Sequence, residues 1–138
     1  MMHTEYAVAA RDYTRAGDAS ADIKRRLRQL GVSTELLRRV AVASYELELN
    51  LVIHSLGGDL SLDVDSDCVR LCSVDRGPGI EDIAQAMRAG YSTANEEARS
   101  LGFGAGMGLP NMRRNADVFT IDSRPGHGTS IQMLFELA

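Results

Sequence analysis

Lysine is almost absent from the 138-residue sequence, which has fourteen arginines but a single lysine, Lys24. A P-loop nucleotide site needs a Gly-Lys pair followed by Ser or Thr, and no Gly-Lys pair occurs here. A eukaryotic-type protein kinase needs the lysine of a Val-Ala-Ile-Lys strand, which is also missing. Any handling of nucleotide phosphates must therefore proceed without the usual lysine.

Cysteine and long apolar runs are also scarce. Cys68 and Cys72 lie four residues apart in a predicted strand, hence about 13 Å apart, which is too far for a disulfide. Without a Cys-x-x-Cys pair or a Cys/His cluster, no zinc site is expected. No apolar run could cross a bilayer, and the first residues do not resemble a signal peptide, so we expect a cytoplasmic protein with no membrane partner.

The charge balance is acidic, with 15 basic and 19 acidic residues and a net charge of −4. Nucleic acid is not expected as a partner, because neutralising phosphates needs a dense basic surface. The apolar fraction of 44% and the charged fraction of 25% are typical of a globular chain. We predict one domain over residues 1–138.

The hydrophobic pattern predicts a single order of helices and strands. Helices are predicted at 21–30, at 35 to 54 or 56, at 80–89 and at 108–115, and strands at 60–65, 68–74, 118–123 and 129–137. Residues 6–10 are a candidate first strand with a poor alternating pattern. Because the strands come in adjacent pairs, we predict an α+β two-layer sandwich, with a mixed or antiparallel sheet and helices on one face. Residues 91–107 lack periodicity, and so long a loop indicates a flexible lid.

Glycine is concentrated in the second half of the chain, where nine of the thirteen glycines lie at or after Gly77. Gly102, Gly104, Gly106 and Gly108 alternate up to the start of a predicted helix. Backbone N–H groups beside a helix N-terminus form a cradle for phosphate. A flexible loop with a capping glycine is the structural alternative.

Asp75 ends a predicted strand and is followed by Gly77 and Gly79. Its carboxylate is suited to accept a hydrogen bond from the exocyclic amine of a nucleotide base. The two glycines would leave room for that base. The structural alternative is a plain turn.

Glu46 and Asn50 lie one helical turn apart in a largely apolar helix. An internal Asn lowers helix propensity, and a buried Glu costs desolvation energy. The pair suits a metal-binding amide beside a general base, and an exposed polar stripe is the alternative. His54, one further turn along, is either a ligand or a capping or solvated histidine.

Four motifs occur in one order: Glu46-x-x-x-Asn50, Asp75-x-Gly77-x-Gly79, Gly104-x-Gly106-x-Gly108 and Gly128-Thr129. This order resembles the GHKL ATPase superfamily, whose members share the Bergerat ATP-binding fold, and it covers about residues 34–135. The small size of the chain narrows the resemblance to small bacterial anti-sigma-factor serine kinases. The stretches that begin at Asp75, Gly90 and Gly106 resemble the RsbT-type switch kinases most, and the RsbW-type kinases second.

The resemblance implies a role for each matching residue. Asn50 would coordinate Mg²⁺, and Glu46 would accept the proton of a substrate serine or of water. Asp75 would bind the adenine amine with support from Thr129. The other residues implied to contact ATP are His54, Gly77, Gly79, Gly104, Gly106, Gly108 and Leu109.

Two features of the charged residues are left open by the resemblance. Mg²⁺ and backbone N–H groups would neutralise part of the phosphate charge, and an arginine is expected to neutralise the rest. The candidates are Arg99, Arg113 and Arg114, and the sequence pattern does not choose among them. Glu48 is a second acid in the helix, about 200° around it from Glu46, so it cannot replace Glu46 and is expected to face a partner.

The resemblance implies a Mg-ATP-dependent protein serine/threonine kinase of a bacterial partner-switching pathway, which phosphorylates a serine on a STAS-domain antagonist. The alternative is a nucleotide-gated module that sequesters a sigma factor or activates a PP2C-type phosphatase with little or no catalysis. A third hypothesis is a degenerate fold that binds no nucleotide. Relatives that bind sigma factors are commonly dimers, and the sequence leaves a homodimer open.

Overall fold

A computed structural model describes residues 2–80, 83–88 and 108–137. Its elements in chain order are β1 (Met2–Val8), α1 (Asp18–Gln29), α2 (Thr34–His54), β2 (Gly58–Val64), β3 (Cys68–Asp75), α3 (Ile83–Ala86), α4 (Gly108–Asn115), β4 (Val118–Ser123) and β5 (Thr129–Glu136). The predicted lid at 91–107 lies outside the described residues, and so do Gly104, Gly106 and Arg99.

The five strands form one antiparallel sheet in the order β1-β2-β3-β5-β4. β2 and β3 form one hairpin and β4 and β5 form another, and β3 pairs with β5 to join them. The predicted pairing of consecutive strands is confirmed, and of the two sheet types predicted the antiparallel one is found. The end of β3, which carries Asp75, therefore lies in the middle of the sheet.

The first strand begins earlier than the candidate at 6–10. β1 runs antiparallel to β2 from the Met2–Val64 pair to the Val8–Gly58 pair. Its sequence alternates, but the inward positions include Thr4 and Tyr6, which are only half-buried. An edge strand with one half-buried face carries a weak hydrophobic pattern, which explains why its extent was misjudged.

The core lies between the sheet and the helices. Every second side chain of β2, β3 and β5 is buried on the face toward α2, while most of the alternate side chains are half-buried or exposed. α1 and α4 flank α2 on this face. The predicted α+β two-layer sandwich is thus confirmed. Within the described residues, none of the helices combines the length and apolar character needed to cross a membrane.

Helix boundaries follow local caps in part. Ser33 caps α2, because its Oγ accepts a hydrogen bond from the backbone N–H of Leu36 at 3.2 Å. α4 has the predicted bounds. Of the helix predicted at 80–89, the described part contains only the short α3 and a turn at 87–88.

Glu48 has a different position from the one expected. Its side chain is buried, at 3% relative exposure. Its two carboxylate oxygens accept hydrogen bonds from the backbone N–H groups of Ala19 and Ser20, each at 3.0 Å. These groups begin α1, whose N-cap residue Gly17 offers no side chain. The expectation that Glu48 faces a partner is therefore wrong, because a helix N-terminus from elsewhere in the chain packs against it.

Candidate active site

Asp75 joins two neighbouring segments through one carboxylate oxygen. Its Oδ1 accepts a hydrogen bond from the backbone N–H of Gly77 and another from that of Thr129, both at 2.9 Å. The first bond closes a turn directly after β3, and the second ties β3 to the start of β5. Neither of these two hydrogen bonds involves the other carboxylate oxygen, Oδ2.

The glycines after Asp75 are required by the close approach of two backbone segments. A Cβ atom on Gly79 would stand 2.1 Å from the carbonyl oxygen of Arg124, and one on Gly77 would stand 3.0 Å from that of His127. Both glycines also have positive φ angles, +86° and +120°. The loop after β3 can therefore close against the β4–β5 turn only with glycine at these positions.

Thr129 is buried beneath this loop, and a neighbouring serine completes its surroundings. The Thr129 and Ser123 hydroxyl oxygens are 2.7 Å apart. Ser123 Oγ also accepts a hydrogen bond from the backbone N–H of Ile80 at 2.7 Å. Sequence reasoning missed Ser123, and the only available signal was its position directly opposite Thr129 in the predicted hairpin.

Glu46, Asn50 and His54 lie one turn apart along α2 and are all half-buried. The Glu46 carboxylate reaches the first turn of α4, since a Cβ atom on Gly108 would stand 3.2 Å from Glu46 Oε2. Burial raises the pKa of Glu46, and a hydrogen bond from the Asn111 side chain opposes that rise. A carboxylate is thus held where the glycine segment enters α4.

The last turn of α2 is covered by the segment that follows β1. The backbone N–H of Arg11 donates to the carbonyl oxygen of Val52 at 2.8 Å, and its guanidinium donates to that of Ile53. Burial lowers the pKa of His54, and the positive charge of Arg11 lowers it further. Arg11 lies in the N-terminal region from which the motifs carry no information, so it was not foreseen.

Two groups of predicted residues are formed, and the end of α2 links them. Asp75, Gly77, Gly79 and Thr129 meet at the sheet, whereas Glu46 meets Gly108 at α4. The backbone N–H of Leu56, just after α2, donates to the carbonyl oxygen of Gly77 at 2.8 Å. The two groups therefore lie at opposite ends of one stretch of α2, and from Glu46 to His54 this stretch is about 12 Å long.

The remaining predicted residues in the described part have other surroundings. Leu109 is buried in the core, so its side chain is not available to a ligand. Arg113 is exposed on α4. Arg114 donates from Nη1 to Asn111 Oδ1 at 3.2 Å, so it points along α4 toward the Glu46 contact.

Comparison with known sequences gives matches over most of the chain. A family model described as "Histidine kinase-, DNA gyrase B-, and HSP90-like ATPase" matches residues 35–138. The serine/threonine-protein kinase RsbT of Bacillus subtilis is 32% identical over 111 residues, which are 78% of this chain and 77% of that protein. An anti-sigma F factor of Pasteuria penetrans is 31% identical over 116 residues, covering 79% of this chain and 74% of that protein.

Solved structures are similar in fold. The structure of the RsbU and RsbW domains of Rv1364c from Mycobacterium tuberculosis has a TM-score of 0.66 and 15% identity. The match covers 99% of this chain and 32% of that longer chain. The SiaB–SiaC complex from Pseudomonas aeruginosa has a TM-score of 0.61 and 10% identity, with 96% of this chain and 89% of that chain covered. At these identities the two likenesses support the fold alone.

Proposed function

The chain belongs to the family of histidine kinase-, DNA gyrase B- and HSP90-like ATPases, and we propose that it is a Mg-ATP-dependent serine/threonine kinase of a bacterial partner-switching pathway. The proposed acceptor is a serine on a STAS-domain antagonist protein. The observation that carries the proposal is the position of the Glu46 carboxylate at the first turn of α4, directly after the glycine segment. The similarity to a serine/threonine-protein kinase and to anti-sigma F factors supports the same activity.

The adenine end of the proposed site is at the sheet. Asp75 is held through Oδ1, which leaves Oδ2 to accept the exocyclic N–H of adenine. Thr129 and Ser123 form the polar floor beside this carboxylate. His54, at the end of α2, would line the path from the base toward the phosphates.

The phosphate end is at α4. Backbone N–H groups at the start of this helix, at Gly108 and Leu109, would bind phosphate oxygens together with Gly104 and Gly106. The amide oxygen of Asn50 is a hard donor of the kind Mg²⁺ prefers, and it fits a metal that takes its other ligands from phosphate and water. Bound there, Mg²⁺ would neutralise phosphate charge during transfer.

The proposed step is a direct phosphoryl transfer. The serine Oγ of the acceptor attacks the γ-phosphorus, the bond from this phosphorus to the β–γ bridging oxygen breaks, and ADP leaves. Glu46 accepts the proton of the serine hydroxyl. Because phosphoryl transfer depends mainly on positioning and charge, one well-placed carboxylate is sufficient as the base.

The test uses the full chain, Mg-ATP labelled at the γ-phosphate, and purified STAS-domain proteins encoded in the same genome. We expect one of them to gain a phosphoserine, identified by mass spectrometry. Glu46→Gln should lower transfer at least about 100-fold, the usual contribution of a general base. Its ATP affinity, measured by calorimetry, should stay within about threefold. Glu35→Gln, an exposed acid on the same helix, is the control and should transfer at the wild-type rate.

Two outcomes would contradict the proposal in different ways. Wild-type transfer by Glu46→Gln would show that Glu46 is not the base. Absence of any phosphoprotein, together with partner binding that changes between ATP and ADP, would instead favour the nucleotide-gated binding module.

A further inference from the structure

The contact between α2 and α4 places two residues of α4, Gly108 and Asn111, beside the Glu46 carboxylate. Gly108 leaves room for Glu46 Oε2, which lies 3.2 Å from where a Cβ atom would stand. Asn111 lies three residues further along α4, nearly one helical turn from Gly108, and is half-buried. Hydrogen bonding by its side chain lowers the pKa of Glu46 and so opposes the effect of burial. A carboxylate accepts hydrogen bonds, so Asn111 must present its amide N–H group.

Arg114 decides which end of the Asn111 amide faces Glu46. The Arg114 guanidinium donates from Nη1 to Asn111 Oδ1 at 3.2 Å. A guanidinium has donors only, so this bond requires the amide oxygen on the Arg114 side. The amide N–H group is then directed to Glu46. A flipped amide would place its oxygen against the carboxylate and lose both hydrogen bonds.

The end of α4 is itself fixed to α2. Arg39 of α2 donates from Nε to the carbonyl oxygen of Asn115 at 2.8 Å and from Nη2 to Asp117 Oδ1 at 3.0 Å. α4 is therefore bound to α2 at both ends, near Glu46 and near Arg39. A helix fixed in this way restricts the movement of the Glu46 carboxylate that packs against it. Catalysis by a proton-accepting group requires such a fixed position.

We infer that Asn111 is a positioning residue for the proton-accepting Glu46, and that Arg114 fixes the orientation of the Asn111 amide. The inference rests on the proposed function of Glu46. One hydrogen bond from Asn111 holds the carboxylate and leaves its remaining lone pairs to the acceptor hydroxyl. Arg114 thereby has a task other than direct binding of phosphate.

Kinetics of the full chain with the STAS-domain acceptor test this inference. Asn111→Ala should lower kcat about 10- to 100-fold, because a misplaced base loses rate rather than binding. The KM for ATP should stay within about twofold. Arg114→Ala should lower kcat about three- to tenfold, and the double variant should be no slower than Asn111→Ala, since both act through one contact.

The matched control is Asn115→Ala. Asn115 lies one turn further along α4, and its amide bonds only to the backbone carbonyl oxygen of Asn111, at 2.8 Å, among the described residues. Transfer by this variant should equal that of the wild type. A slow Asn115→Ala variant would show that any weakening of α4 lowers the rate, and would overturn the specific role of Asn111.

A second measurement needs no acceptor protein. The side-chain amide signals of Asn111, assigned in ¹⁵N-correlated NMR spectra by their absence in Asn111→Ala, should move in both Glu46→Gln and Arg114→Ala. They should stay in place in Arg38→Ala, which removes an exposed arginine of α2. If these signals do not move in Glu46→Gln, the contact between Asn111 and Glu46 is overturned.

The outcomes separate this inference from the proposed function. An inactive Glu46→Gln with a fully active Asn111→Ala would overturn the positioning role alone. An active Glu46→Gln would overturn the assignment of the base. A raised KM for ATP in Arg114→Ala, with kcat unchanged, would make Arg114 a phosphate contact instead.

Discussion

At the residue scale, Asp75 serves both the fold and the proposed ligand with one carboxylate. Oδ1 is occupied by two backbone N–H groups. Asn has the same shape and keeps a carbonyl oxygen for these bonds. Its NH₂ group, however, would replace Oδ2 and face the adenine amine as a second donor.

We therefore predict that Asp75→Asn weakens ATP binding about 10- to 100-fold, the value of a hydrogen bond to a charged group. Calorimetric titration with ATP, with and without Mg²⁺, measures the change. Asp122→Asn, an exposed position on β4, should bind ATP like the wild type. Unchanged affinity in Asp75→Asn would remove Asp75 from the site.

His54 carries a prediction about pH. Burial and the charge of Arg11 lower its pKa in the folded chain below the usual value of 6.5. Between pH 6.5 and this lowered pKa, the unfolded chain therefore binds a proton at His54 that the folded chain does not. The unfolding free energy must then fall as pH falls from about 6.5 through the lowered folded pKa.

His54→Gln should remove this contribution. Urea unfolding of both proteins between pH 7.5 and 5 gives the two profiles, whose difference isolates His54 because all other groups are shared. The wild type should lose more stability than the variant on acidification. Parallel profiles would mean that His54 keeps its ordinary pKa.

At the element scale, α1 begins at a carboxylate that belongs to α2. Gly17 provides no side-chain cap, and the buried Glu48 binds the backbone N–H groups of Ala19 and Ser20 instead. The positive end of the α1 dipole also favours this carboxylate. The two helices are therefore coupled by a charged hydrogen-bonded contact.

Glu48→Ala should destabilise the fold by about 2–4 kcal/mol, because it leaves two buried donors without their acceptor. Glu48→Gln retains one strong acceptor and should cost roughly half as much. Glu35→Ala removes an exposed acid from the first turn of α2 and should cost less than about 1 kcal/mol. Chemical denaturation measures all three, and a Glu48→Ala loss no larger than that of Glu35→Ala would contradict the capping role.

At the scale of the whole molecule, the proposed nucleotide touches the sheet, α2 and α4 at once. Binding at such a site should stabilise the complete fold. At an ATP concentration of about 100 Kd, the gain is about 2.7 kcal/mol, which raises Tm by roughly 8–10 °C for a domain of this size. Thermal unfolding monitored by circular dichroism tests this.

Asp75→Asn at the same ATP concentration serves as the control and should shift by about half as much or less, since its affinity is roughly 10- to 100-fold weaker. An equal shift in both proteins would indicate that ATP binds somewhere other than beside Asp75. An unchanged Tm in the wild type would support the hypothesis of a fold that binds no nucleotide.

The sequence by itself determined most of the architecture. The bounds of α4 and β4 were predicted as found, α2 was predicted to within one residue at its start, and the two-layer arrangement followed from strands in adjacent pairs. Periodicity, caps and glycine breaks are local properties, so neighbouring residues are sufficient to read them. The motif order also identified the family, because the spacing of Glu46, Asn50, Asp75 and Thr129 is written in the chain.

Only the tertiary structure decided which groups meet. Glu48 binds the first turn of α1, 28 and 29 residues away in the sequence. Ser123 and Ile80 are 43 residues apart, and Arg39 and Asn115 are 76 residues apart, yet each pair is hydrogen-bonded. A helical wheel gives the direction of a side chain but not what packs there, so Glu48 was misassigned to a partner. For the same reason, the sequence did not predict that Asn111 lies beside Glu46. The partners of a side chain depend on how whole helices and strands pack, and a local sequence pattern contains no information about that packing.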